Sequence, residues 1–188
     1  NVRTLTMGSG TFELTLTGTV WSCATVTNFT LNANTSTIKI TNTSATARTF
    51  AGGGKTYNNF WSSPGAGTAS LTISGSNTFA DLKDDCTAAH SILFTAATTQ
   101  TVTTFTVSGT AGQLITLNST TTAVYNITKT SGIVSRDYLN IQHCRAGGGA
   151  KFYAGVNSTN NQGVASAGYG WHFNVPDESY PFMKMLGS

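Results

Sequence analysis

Alternation of apolar and polar residues organises this chain. Phe12-Glu13-Leu14-Thr15-Leu16-Thr17 places an apolar residue at every second position. So do Phe29-Thr30-Leu31, Thr37-Ile38-Lys39-Ile40-Thr41, Leu71-Thr72-Ile73, Phe105-Thr106-Val107 and Tyr125-Asn126-Ile127-Thr128. A period of two is the signature of a strand with one face turned to a core. Turn formers separate the runs: Gly8-Ser9-Gly10, Asn32-Ala33-Asn34, Gly52-Gly53-Gly54, Pro64-Gly65-Ala66-Gly67, Gly75-Ser76-Asn77 and Gly109-Thr110-Ala111-Gly112. No helical apolar period is sustained anywhere, and the nearest candidate, 80–90, is too polar and too short. The pattern predicts an all-β chain with very little helix.

A longer motif overlies the alternation: a Thr, an apolar residue, two mostly small or polar residues, then another apolar residue. It reads Thr25-Val26-Thr27-Asn28-Phe29, Thr56-Tyr57-Asn58-Asn59-Phe60, Thr78-Phe79-Ala80-Asp81-Leu82 and Thr101-Val102-Thr103-Thr104-Phe105, with a looser copy in Ile133-Val134-Ser135-Arg136-Asp137-Tyr138-Leu139. From Phe60 to Leu82 to Phe105 the step is roughly 22 to 23 residues, inside the period that marks solenoids. The outer steps, roughly 31 and 34, predict coils that carry insertions. Two all-β architectures fit, a β-sandwich and a right-handed parallel β-solenoid. Sandwich hairpins favour Asn-Gly or Asp-Gly turns, and neither dipeptide occurs, so the solenoid is the expected fold and the sandwich its alternative.

Each coil of such a rod buries its apolar side on the next. The expected core is Val26, Phe29, Leu31, Ile38, Ile40, Tyr57, Phe60, Leu71, Ile73, Phe79, Leu82, Phe94, Val102, Phe105, Val107, Leu114, Leu117, Ile127, Leu139 and Ile141. Coils are predicted over 1–146 and an irregular aromatic cap over 147–175, where Phe152-Tyr153 and Tyr169-Gly170-Trp171-His172-Phe173 gather. A docking segment follows at 176–188, in which Phe182, Met183, Met185 and Leu186 form a candidate assembly interface. The start at Asn1 in mid-pattern suggests a fragment of a longer polypeptide or a processed product.

Composition narrows the function classes. Only 9 % of residues are charged, against a typical quarter, and the net charge is +3. The ten basic residues are scattered with no two adjacent, so no stripe suited to nucleic acid exists. No apolar run is long enough to span a membrane. Thr, Asn and Ser instead supply uncharged hydroxyls and amides, a composition that fits extracellular or virion surfaces. Cys23, Cys86 and Cys144 are odd in number and widely spaced, which predicts buried free thiols.

Thr49-Phe50-Ala51-Gly52-Gly53-Gly54-Lys55-Thr56-Tyr57-Asn58-Asn59 resembles a stretch of the repetitive β-rich modules of tailed-bacteriophage virion proteins. So do Ile73-Ser74-Gly75-Ser76-Asn77-Thr78-Phe79-Ala80-Asp81-Leu82, Thr99-Gln100-Thr101-Val102, and the closing Tyr153-Ala154-Gly155-Val156-Asn157-Ser158-Thr159 with Gly170-Trp171-His172-Phe173. The resemblance covers roughly 11–173 and departs from the pattern at 86–91 and at His143-Cys144-Arg145. It implies a non-enzymatic virion structural protein: a fibre, surface or decoration module that mediates assembly or host-surface adhesion. Its partners would be other virion subunits, in a homo-oligomer, and a host-surface glycan. It implies no cofactor and no catalytic set.

Several residue groups could still carry chemistry. Asp81, Asp84 and Asp85 form the densest acidic cluster and could supply the paired carboxylates of a polysaccharide-cleaving tailspike. Read as a solvated loop, they tolerate Asp84→Asn and Asp85→Asn without loss of fold. His90, His143 and His172 could form a metal site or base only if coils bring them together. His143-Cys144 would point to opposite faces of a strand. Gly52-Gly53-Gly54-Lys55-Thr56 lacks the first glycine of a phosphate loop and reads as a coil corner. Repeated Thr-x-Thr pairs such as Thr101-x-Thr103 leave a sugar- or ice-binding module as a further alternative. Asn28, Asn34, Asn42, Asn118, Asn126 and Asn157 open glycosylation sequons, which stay silent in a bacterial host.

Overall fold

The computed structural model describes residues 1–24, 27–160 and 170–176. Val26, expected in the core, and the candidate interface Phe182, Met183, Met185 and Leu186 lie outside the described residues. Among the described residues there is no helix. The chain is a parallel β-solenoid of about seven turns. The first coil holds β1 (Arg3–Thr6), β2 (Thr11–Leu14) and β3 (Gly18–Ser22), and the second β4 (Phe29–Asn32), β5 (Thr37–Ile40) and β6 (Arg48–Ala51). Three coils of two strands follow, the first strand of each the longer: β7 (Thr56–Ser62) with β8 (Leu71–Ser74), β9 (Thr78–Asp84) with β10 (His90–Phe94), and β11 (Thr99–Val107) with β12 (Ile115–Ser119). The sixth coil is β13 (Tyr125–Thr128), β14 (Ile133–Ser135) and β15 (Leu139–Ile141); the seventh is β16 (Cys144–Gly147), β17 (Lys151–Tyr153) and β18 (Thr159–Asn160). A last strand, β19 (Trp171–His172), pairs with β17.

Two seven-stranded parallel sheets, β18-β15-β12-β10-β8-β6-β3 and β16-β13-β11-β9-β7-β5-β2, run the length of the rod. The central motif copies stack in the expected register: Thr56, Thr78 and Thr101 align, as do Tyr57, Phe79 and Val102, and Phe60, Leu82 and Phe105. The pairing passes over Asn58, Ala80 and Thr103, where these long strands turn. The outer copies are not in this register. Phe60 stands opposite Ile38, not Phe29, because a turn at 33–36 separates β4 from β5. Val134 and Leu139 likewise fall in different sheets, on β14 and β15.

The core is one column of inward side chains per alternating position. Phe50, Tyr57, Phe60 and Phe79 pack with ring centroids 4.6 to 6.1 Å apart. Phe94 stacks on Tyr125 at 4.6 Å, and Trp171 meets Phe105 and Phe152 edge-on. The aromatic segment expected as a cap thus adds parallel strands as well as covering side chains. Phe29, Leu31 and Leu114 are only half-buried, whereas the rest of the described expected core is buried. Phe50, Ile92, Ile115, Tyr125, Val134 and Phe152 join it.

The corners use specific polar chemistry. Gly52-Gly53-Gly54 turns the chain from β6 to β7, with Gly53 and Gly54 at φ 63 and 69, a conformation glycine adopts at least cost. A Cβ on Gly52 would sit 2.2 Å from Asn77 Oδ1. Asn77 is itself buried: it accepts from Gly54 N–H at 3.1 Å and donates to Gln100 Oε1 at 3.1 Å. Gln100 donates to Gly75 O at 2.8 Å. This amide ladder satisfies corner backbone that would otherwise be buried without partners.

Candidate functional site

Three side chains of acidic or basic type occupy inward columns that are otherwise mostly apolar. Arg48 aligns with Leu71, Ile92 and Leu117. Asp84 aligns with Ile40, Ser62 and Val107. His90 aligns with Ile115 and Leu139. Asp84 ends β9 and His90 begins β10, so they face each other across the corner of the fourth coil.

Asp84 Oδ2 lies 3.1 Å from His90 Nε2, with side-chain exposures of 0 % and 1 %. Asp84 Oδ1 accepts from Cys86 N–H at 3.0 Å. The other imidazole nitrogen, His90 Nδ1, lies 3.1 Å from Ala88 O. Arg48 donates to Asn42 O and, at 2.8 Å, to Ala69 O, while its Nε has no partner. Burial lowers the Arg48 guanidinium from its ordinary value. Burial would also depress His90, but the hydrogen bond and charge of Asp84, helped by the Ala88 carbonyl, outweigh it and raise the imidazole.

A carboxylate, an imidazole and a thiol in one corner are the parts from which an activated nucleophile is built. Here the thiol faces elsewhere. Cys86 Sγ lies 3.1, 3.2 and 3.3 Å from the carbonyl oxygens of Gly65, Gly67 and Ala88. Burial pushes its pKa up, and the nearby Asp84 charge adds to this. A protonated sulfur surrounded by acceptors is a hydrogen-bond donor, not a nucleophile. The cluster ties backbone together.

The remaining candidates are dispersed. Asp81 points outward and accepts from Thr106 Oγ1 at 3.1 Å. Asp85 is in the exposed corner, 3.9 Å from Lys83 Nζ. The three carboxylates read together in the sequence therefore point in three directions, and the solvated-loop reading is corrected for Asp84, which is in the core. His143 Nδ1 lies 2.9 Å from Asn118 Oδ1, and the exposed His172 packs on Tyr153. Among the described residues no group of three or more His, Cys, Asp or Glu is arranged to hold a metal ion. All three cysteines are buried and free.

The outer surface carries mostly uncharged rows. Thr56, Thr78, Thr101 and Thr128 stand in one rank, with Thr101 and Thr128 hydroxyls 3.2 Å apart. Along the turn of the long strands lies a groove of about 300 Å³, lined by Asn34, Thr56, Asn58, Thr78, Ala80 and Thr103 among others. A larger cleft of about 730 Å³ lies across the first two coils against Arg3, Leu5, Val20, Trp21 and Phe29. On the adjoining face Lys39 and Lys83, from the coils on either side, place their ammonium groups 4.1 and 3.9 Å from the ring centroid of Trp61. These lysine stems cover the ring, as long cationic side chains do on apolar surface.

No protein-family model, curated protein or solved structure matches the chain. Among the described residues no helix is long and apolar enough to cross a membrane.

Proposed function

We propose that the chain is a non-enzymatic structural module of a tailed-phage virion, exposed on the particle and serving assembly or adhesion to a host-surface glycan. One observation carries this reading: the one dense cluster of acid, imidazole, guanidinium and thiol described above is sealed inside the rod and bonded to backbone. Reactive groups are committed to holding coils, and what faces solvent is largely ranks of hydroxyls and amides. Such a surface suits contact with hydroxyl-rich polymers or with neighbouring subunits. The virion context rests on the resemblance of the Thr49–Asn59, Ile73–Leu82 and Tyr153–Thr159 stretches to phage modules.

The neutral groove along Asn34, Asn58 and Thr103 favours a sugar-binding role as the second reading. It offers amide and hydroxyl partners along several coils, spaced by the strand separation of about 4.8 Å. Sedimentation with bacterial envelopes tests adhesion. The protein is expected to pellet with envelopes of a susceptible bacterium and to be released by excess purified envelope polysaccharide. Retention that survives this competitor would point to a protein receptor instead.

A further inference from the structure

We propose that His90 is a proton-operated latch on the corner of the fourth coil, closed while its imidazole carries two protons. With Asp84 ionised, the geometry requires this state. Nε2 faces a carboxylate oxygen of Asp84 and Nδ1 faces the Ala88 carbonyl, both at 3.1 Å. Both are acceptors. A neutral imidazole has one N–H and one lone pair, so one of these contacts would set lone pair against lone pair. Only the imidazolium donates to both. Burial opposes the charge, and the Asp84 carboxylate offsets that cost. The other charged or titratable groups facing the pair are Arg48 from β6, whose positive charge works against protonation, and Cys86 with Asp85 beyond it in the corner.

The latch spans three coils. His90 and Asp84 bracket the segment 85–89. Within it Thr87 N–H donates to Gly65 O at 2.8 Å, and Cys86 Sγ reaches Gly65 and Gly67 of the third coil. On the other side Ala89 N–H donates to Gln113 Oε1 of the fifth coil at 2.6 Å. Gly65, Thr87, Ala89 and Gln113 are exposed, so the stacked corners form outer surface. Losing the proton breaks one arm of the bracket and frees this surface to rearrange. The device goes beyond the adhesion reading and stands or falls without it.

The sense of the pH dependence follows from linkage. His90 titrates near 6.5 in an unfolded chain, and its value in the fold is raised. The contribution is therefore fully present below about 6.5 and is lost as pH rises through the folded value. Nitrogen-15 NMR of the His90 ring in the intact chain tests the state directly. Two protonated ring nitrogens are expected at about pH 5.5, below the unfolded value, and a single-protonated ring there would overturn the proposal. Thermal melts across the same range test the latch. The melting temperature should fall as pH rises through the His90 titration, the Cys86 and Thr87 amides should lose exchange protection in step, and His90→Gln should abolish that pH dependence. An unchanged slope in His90→Gln would overturn it. Should that variant fail to fold, the ring spectrum and amide exchange of the unmodified chain still decide.

Discussion

Phe50→Ala should lower the free energy of unfolding by about 3 to 5 kcal/mol, the range for truncating a buried aromatic. Phe50 is fully buried and stands where four other rings meet. Its centroid is 4.6 Å from Phe60, 5.0 Å from Tyr57, 6.1 Å from Phe79 and 6.3 Å from Trp21. These rings come from the first four coils and are fixed by strand register, so the space cannot collapse without shifting parallel ladders. Phe105→Ala, buried between Leu82 and the edge of Trp171, should cost a similar amount. Chemical denaturation monitored by tryptophan fluorescence checks both. A loss below about 1 kcal/mol would mean that the aromatic stack is not tightly packed.

Asp84→Ala should cost about 3 to 5 kcal/mol, because removing one partner of a buried ion pair leaves the other uncompensated. The variant strips His90 of its countercharge and Cys86 N–H of its acceptor at once. Asp84→Asn should cost less, about 1 to 3 kcal/mol, since the amide keeps an oxygen for Cys86. Asp85→Asn, exposed and only loosely paired with Lys83, should stay within about 0.5 kcal/mol of the parent. The ranking Asp84→Ala, Asp84→Asn, Asp85→Asn in denaturant midpoints is the check. Equal midpoints for the two Asn variants would place Asp84 in solvent.

The fold was legible because a solenoid repeats its signal. Tyr57, Phe79 and Val102 recur at the coil period, and each also obeys strand alternation, so two patterns converge on one register. The outer coils were misread because a solenoid tolerates insertions at its corners. The turn at 33–36 shifts Ile38 into the place the motif assigned to Phe29. The buried cluster was within reach of the same rule. Asp84 is two residues past inward Leu82, His90 is two before Ile92, and Arg48 is two before Phe50. Extending the alternation by one step puts all three inside. Residue-type preference favours charged groups outside, as in the solvated-loop reading of Asp84, and only the strand phase reveals the exception. That Asp84 and His90 would meet, with the Arg48 charge nearby, depends on how the corner folds, which linear spacing does not encode.

The central claim is that this rod binds and does not turn over its ligand. The direct measurement is to incubate the protein with purified polysaccharide from an envelope that retains it, and to follow bound protein and polymer chain length together. The account predicts saturable binding with chain length unchanged at every protein concentration. Progressive shortening of the polymer with release of oligosaccharides would contradict it and make the protein a glycan-cleaving enzyme.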